Sequence, residues 1–164
     1  MTIEDDDHVE WNREVRGETP IQQLDRNWLA LLQELRVVQT GVQLLTGFLL
    51  TLPFQGRFTD LSTVGHAVYL VTVSASTMAT ILLVAPVGMH RLLFRQRAIG
   101  VLVTTGNRLA IGGIAMLGVT LVGAAALTFE IVVGELASLV AAAVVALLLV
   151  GFWYLLPRAN RPRD

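Results

Sequence analysis

The segment Glu34–Arg57, ELRVVQTGVQLLTGFLLTLPFQGR, is the strongest indication of the fold of this 164-residue chain. It contains Val37–Gly56, a run of 20 residues without a formally charged side chain. At about 1.5 Å of rise per residue, such a run forms roughly 30 Å of α-helix, enough to cross the hydrocarbon core of a bilayer. The stretch therefore predicts a membrane-crossing helix.

Polar and small residues recur along this predicted helix at spacings of three and four: Arg36, Gln39, Thr40, Gln43 and Gly47. Residues at these spacings share one face of an α-helix, and charged or amide side chains are seldom turned towards lipid. The pattern predicts that this face packs against other helices. It would form either a helix-pairing surface or the wall of an inward-facing polar pocket.

Three further apolar runs follow the first. The whole chain is 54% hydrophobic and only 15% charged, a composition typical of membrane proteins. We therefore predict an all-α fold, a four-helix transmembrane bundle with an amphipathic N-terminal helical extension. The predicted crossings are residues 37–56, 61–89, 109–129 and 136–157 of a membrane domain that covers residues 19–157.

The segments outside these crossings differ from them in charge. Residues 1–18 hold seven of the 13 acidic residues and predict a disordered acidic tail, whereas residues 158–164 form a basic tail. Thr19-Pro20-Ile21-Gln22 has the form of a capping box and predicts a helix start. The pattern leaves open whether residues 20–36 lie on the membrane or continue straight into the first crossing.

The arginines predict how the chain is oriented. All 12 basic residues are arginine, and 11 of them lie before the first crossing, between the second and third, or after the fourth. Loops rich in positive charge stay on the cytoplasmic side of a membrane. Both termini are therefore expected to be cytoplasmic, and the arginines indicate topology rather than nucleic acid binding.

The fourth crossing carries a seam of small residues spaced by four: Gly134, Ser138, Ala142 and Ala146. Small residues at this spacing let two helices approach closely within a bilayer. The seam is a candidate helix-packing surface, either within the chain or in a homo-oligomer. The expected partners are therefore the lipid bilayer and either a second copy of the chain or another membrane protein.

Several kinds of chemistry are excluded or disfavoured. The chain has no cysteine and three widely separated histidines, and it lacks phosphate-binding loops and catalytic motifs. We expect no cofactor, no metal site and no enzymatic activity.

One cluster of candidate site residues remains, at the predicted cytoplasmic ends of the helices: Glu34, Arg36, Gln39, Gln43, His90, Arg91, Asn107 and Arg108. Glu34 and His90 could exchange protons and pass them towards Gln39 and Gln43. Alternatively, Glu34 and the arginines form structural ion pairs that fix helix order. No crossing carries a charged residue near its middle, where ion carriers usually place a carboxylate, which weighs against a self-sufficient antiporter.

The segments Glu34–Phe58, Ala85–Phe94 (APVGMHRLLF) and Asn107–Ala110 (NRLA) resemble a family of small four-helix membrane proteins of unknown function from high-GC Gram-positive bacteria. The resemblance covers roughly Trp28–Pro157 and implies a bacterial cytoplasmic membrane. Some members carry an automatic sodium:proton antiporter label, but the family has no established active site. We expect a structural or partner-binding membrane subunit, with a small proton or cation pathway as the alternative.

Overall fold

The computed structural model describes residue 17 and residues 19–93 and 99–160. Four long helices dominate these residues: α1 (Pro20–Thr51), α2 (Thr63–Leu93), α3 (Ile99–Val132) and α4 (Glu135–Val150). Two 3₁₀ turns, Leu52–Phe54 and Gly56–Asp60, join α1 to α2. After α4, a π-helical turn, Gly151–Leu155, leads into a short helix, α5 (Leu156–Ala159). Of the predicted acidic tail, only Gly17 is among the described residues. Of the predicted basic tail, residues 158–160 are described and residues 161–164 are not.

The predicted all-α class with four long apolar helices is confirmed. The four segments that are long and apolar enough to cross a membrane are Gln22–Phe54, Thr63–Met89, Leu102–Val132 and Glu135–Ala159. Most of them reach beyond the charge-free runs, because a charged residue ends a hydrophobic run without ending a helix. We call the end of the bundle that holds Pro20, Leu93 and Ile99 the terminal end, and the other the distal end.

The first helix begins as the sequence predicts. The backbone N–H of Gln22 donates to Thr19 Oγ1 at 3.4 Å, and the backbone N–H of Thr19 donates to Gln22 Oε1 at 2.8 Å. These two bonds complete the capping box. From there α1 continues without a break to Thr51, so the amphipathic extension and the first crossing are one helix.

The packed face of α1 follows a strict spacing of seven. Trp28, Leu35, Val42 and Leu49 are only 1–3% exposed. A second, half-buried row runs beside them, formed by Leu31, Val38, Leu45 and Leu52. Apolar residues at positions a and d of a heptad pack against neighbouring helices at a shallow angle of about 20°. This heptad, rather than the polar stripe, holds α1 on the bundle.

The third helix is central to the bundle. It packs against α1, α2 and α4, whereas α4 rests mainly on α3. Within an apolar stretch of 18 residues in each segment, 33% of the residues are buried in the second and third segments, against 11% in the first and 6% in the fourth. Helices α1 and α4 are therefore peripheral and expose most of their surface.

Helices α2 and α3 approach each other closely at two glycines of α3. A Cβ atom placed on Gly113 would lie 2.6 Å from Leu83 Cγ, and one placed on Gly123 would overlap Thr72 Oγ1. The side chains that these Cβ atoms would meet are buried: Leu83 is 0% exposed and Thr72 is 1% exposed. These glycines of α3 thus allow close helix packing, and at their positions they leave no room for a water-filled passage between the two helices.

Candidate functional site

The structure brings two of the predicted cluster residues together at the terminal end. Glu34 on α1 and Asn107 on α3 line one cavity of about 420 Å³, together with Asn27 and Thr104. The Trp28 ring contacts Gly106 closely, so this part of α1 and this part of α3 lie at the same height in the bundle. Glu34 and Asn107 are both exposed, so this polar cavity opens to the outside of the bundle.

The remaining charged members of the cluster do not line this cavity. Arg36, Arg91 and Arg108 are exposed. The side chain of His90 lies outside the part of the chain that the structure describes. Proton exchange between Glu34 and His90 therefore stays a prediction.

Gln39 lies on the packed side of α1 and connects it to α2. Its Nε2 donates to the backbone carbonyl of Leu83 at 2.7 Å. Three residues further along α2, Pro86 has no N–H, which interrupts the helical hydrogen bonds in this turn. In a regular α-helix the N–H at position 86 would donate to the Leu82 carbonyl, so the Gln39 amide joins α1 to α2 at the carbonyl next to the one that loses its helical donor.

Gln43, one turn further along α1, lies on the adjoining side of the helix and is exposed. It shares that side with Arg36, Thr40 and Gly47, which are also exposed, and we call these four residues the outer stripe. The Thr40 hydroxyl donates to the Arg36 carbonyl at 3.1 Å and is satisfied within its own helix. The polar face predicted from spacing is therefore split: Gln39 faces α2, and the outer stripe faces away from the bundle.

Other polar contacts between helices involve hydroxyl groups. Thr46, seven residues after Gln39, forms a short hydrogen bond with the fully buried Ser76 of α2. Buried Thr72 and Thr120 instead donate to carbonyls of their own helices, at 2.6 and 2.9 Å. Helix packing and hydrogen bonds within a helix therefore explain the presence of these hydroxyl groups. Ser and Thr commonly have this role in membrane helices.

A polar site that the sequence reasoning missed lies at the distal end. Glu130, near the end of α3, accepts two hydrogen bonds at Oε1, from the Ser62 backbone N–H at 3.0 Å and the Ser62 hydroxyl at 2.7 Å. The Ser62 hydroxyl in turn accepts from the Gly65 N–H at 2.9 Å and caps α2. The carboxylate thus lies at the positive end of the α2 dipole. We call Ser62, Gly65 and Glu130 the distal cap.

Aromatic side chains pack beside the distal cap. The Phe58 ring meets the rings of His66 and Tyr69 edge to face, with centroids 5.1 and 5.0 Å away. His66 Nδ1 lies 2.9 Å from the Ser62 carbonyl, and because a carbonyl can only accept, this nitrogen carries the proton. Ser62 immediately before an apolar run was the available sequence signal for this cap.

The small-residue seam faces α3 of the same chain. Ser138 is only 7% exposed, and Ala142 and Ala146 are half-buried. Gly134 precedes α4 with a φ of +123°, a conformation that favours glycine. The buried residues of α4 are Ser138 and Ala141, so the side of α4 that carries Ser138 packs against the bundle.

Replacing Ser138 with leucine is expected to push α4 away from α3 and to lower the free energy of unfolding by about 1–2 kcal/mol, because the larger side chain overfills a packed contact. Chemical unfolding in detergent measures this change. Ala143→Leu is the matched control, since Ala143 lies on the exposed side of α4. Equal stability of the two variants would contradict the packing role of the seam.

Comparison with known protein families gives a match over most of the chain. The model of a family described as a family of unknown function (DUF6328) matches residues 17–157, which include all four long helices. No curated protein and no solved structure matches the chain. This match confirms the part of the expected resemblance that concerns a family of unknown function.

Proposed function

The chain belongs to the family of unknown function DUF6328, and from this premise we propose that it is a non-catalytic membrane subunit that binds a protein partner within the bilayer. We place it in a bacterial cytoplasmic membrane with both termini cytoplasmic. The positions of its arginines support this orientation. The terminal end of the bundle then faces the cytoplasm and the distal end faces outwards.

The exposed amide of Gln43 is the observation that carries this proposal. Gln43 lies six residues beyond Val37, the start of the charge-free run, which places it about 9 Å into the apolar segment. Lipid tails offer no hydrogen-bond partner, so an amide facing them loses the bonds it makes in water. A protein partner that covers the outer stripe would restore these bonds.

The centre of the bundle favours a binding role over a transport role. Ser76, Ala79 and Leu83 are 0% exposed and fill the space between α2 and its neighbours. No charged residue lies near the middle of any crossing. A pathway for protons or cations would need an opening at this depth, together with a group able to bind the ion.

The alternative is a proton or cation pathway that starts at the cytoplasmic ends of the helices. It is favoured by the cavity that Glu34 and Asn107 share, because a carboxylate and an amide can both bind a cation. Its continuation towards the membrane centre is disfavoured, since the amide of Gln39 is engaged with Leu83. We therefore rank this function second.

A flux measurement separates the two functions. Purified protein reconstituted in liposomes with a pH-sensitive dye is expected to show the same proton flux as empty liposomes under an imposed sodium or proton gradient. Flux that disappears in Glu34→Gln but persists in Glu135→Gln would establish the alternative. Glu135 is a matched control because it is an exposed carboxylate at the opposite end of the bundle.

A further inference from the structure

We propose that the partner at the outer stripe is a second copy of this chain, joined to the first by reciprocal hydrogen bonds between the two Gln43 amides. This inference rests on the proposed function and deepens it. It names the partner and the group that recognises it.

The chemistry of the amide favours a second copy. A glutamine side chain has both a donor and an acceptor, so two amides related by a twofold axis satisfy each other. A second copy also carries its amide at the same depth, because every copy inserts in the same orientation. An unrelated partner would need its own polar group at that depth.

The surroundings of Gln43 allow a second helix to approach. Gly47 follows it by one turn on the same stripe, and no atom lies within 4 Å of a Cβ placed on Gly47. Further towards the distal end, Leu50 and Phe54 continue the stripe with 52% and 88% exposure. These residues provide an apolar contact surface on which the two copies can pack on either side of the central amide pair.

The charge of Arg36 is compatible with this arrangement. Arg36 lies seven residues from Gln43, about 10 Å towards the terminal end at the usual helical rise. At that level its long side chain can reach the lipid headgroups. The two copies of Arg36 therefore need not meet in the hydrocarbon core, and the amide remains the polar group that the dimer contact has to satisfy.

Cysteine cross-linking in membranes tests the contact directly. The chain has no cysteine, so Thr40→Cys introduces its only thiol, on the outer stripe and with Gln43 intact. Oxidation is expected to give a covalent species of twice the 17.8 kDa chain mass. The control is Leu147→Cys, which is 71% exposed on α4 and is expected to remain monomeric.

A matched pair of variants separates association from folding. Gln43→Leu is expected to weaken the dimer about eightfold, as the loss of two hydrogen bonds within a membrane predicts, and to leave thermal stability unchanged. Gln39→Leu makes the same change on the same helix but removes the bond to Leu83, so it should lower stability and leave the dimer intact. Photobleaching of labelled protein at decreasing protein-to-lipid ratios measures the dimer.

The outcomes distinguish this inference from the proposed function. No cross-link at Thr40, an equal cross-link at Leu147, or a dimer whose affinity Gln43→Leu leaves unchanged would each overturn the second-copy inference. A Thr40 cross-link to a different protein would also overturn it while leaving a partner-binding function in place. Ion flux in liposomes would overturn the proposed function instead, whatever the cross-linking shows.

Discussion

Replacing Gly123 with alanine is expected to lower the free energy of unfolding by about 3 kcal/mol, near the upper end for an overpacked core site. The added Cβ would overlap Thr72 Oγ1 and lie 3.0 Å from both Thr72 Cβ and Cγ2. Thr72 cannot easily turn away, because its hydroxyl donates to the Val68 carbonyl at 2.6 Å and its side chain is 1% exposed. Helices α2 and α3 would have to separate.

Denaturant unfolding in mild detergent, followed by the helical circular dichroism signal, measures this loss. Gly88→Ala is the control, since Gly88 is also helical and no atom lies within 4 Å of a Cβ placed there. Its stability should stay within about 0.5 kcal/mol of the parent. Thr72→Ala in the Gly123→Ala background should recover much of the loss. Equal losses in Gly123→Ala and Gly88→Ala would show that the contact with Thr72 is not the cause.

Removal of the Glu130 carboxylate is expected to produce the second large effect. Glu130→Ala leaves the partly buried Ser62 N–H and hydroxyl without their acceptor, which costs about 2 kcal/mol. Glu130→Gln keeps an acceptor oxygen but loses the negative charge at the α2 N-terminus, so its loss should be about half as large. The expected order of stability is glutamate, then glutamine, then alanine.

Unfolding measurements and hydrogen exchange check this order. The backbone amides at the start of α2 should exchange faster in Glu130→Ala, because that end of the helix is no longer held by α3. Glu135→Ala is the control. Glu135 lies in the first turn of α4 but is exposed, so its removal should cost less than about 0.5 kcal/mol. A Glu130→Ala variant as stable as Glu135→Ala would show that the distal cap contributes nothing to stability.

Both effects bear on function through the position of α1. Helices α2 and α3 form the central pair, and α1 is held on them by its heptad face and by Gln39. The outer stripe lies on the other side of the same helix. Loosening α2 from α3 is therefore expected to change how the stripe is presented to a partner, so binding experiments should use variants of normal stability.

The sequence by itself predicts the class of fold, an all-α chain with four long apolar helices. A helix that crosses a membrane must satisfy its backbone hydrogen bonds within itself, so length and hydropathy are local signals. The capping box at Thr19 is equally local, because both of its partners lie within three residues. The spacing of seven from Trp28 to Leu49, which marks the packed face of α1, is also present in the sequence.

The tertiary structure decided which neighbour each polar residue meets. Spacings of three and four place Gln39 and Gln43 on adjoining sides of one helix, but they do not say which side the bundle covers. Only the positions of Leu83 and Val42 show that Gln39 is inside and Gln43 outside. Glu130 and Ser62 are 68 residues apart in the chain. They meet because α2 packs on α3. The energy of such a pair depends on the distance between its atoms, and a local sequence pattern does not give this distance.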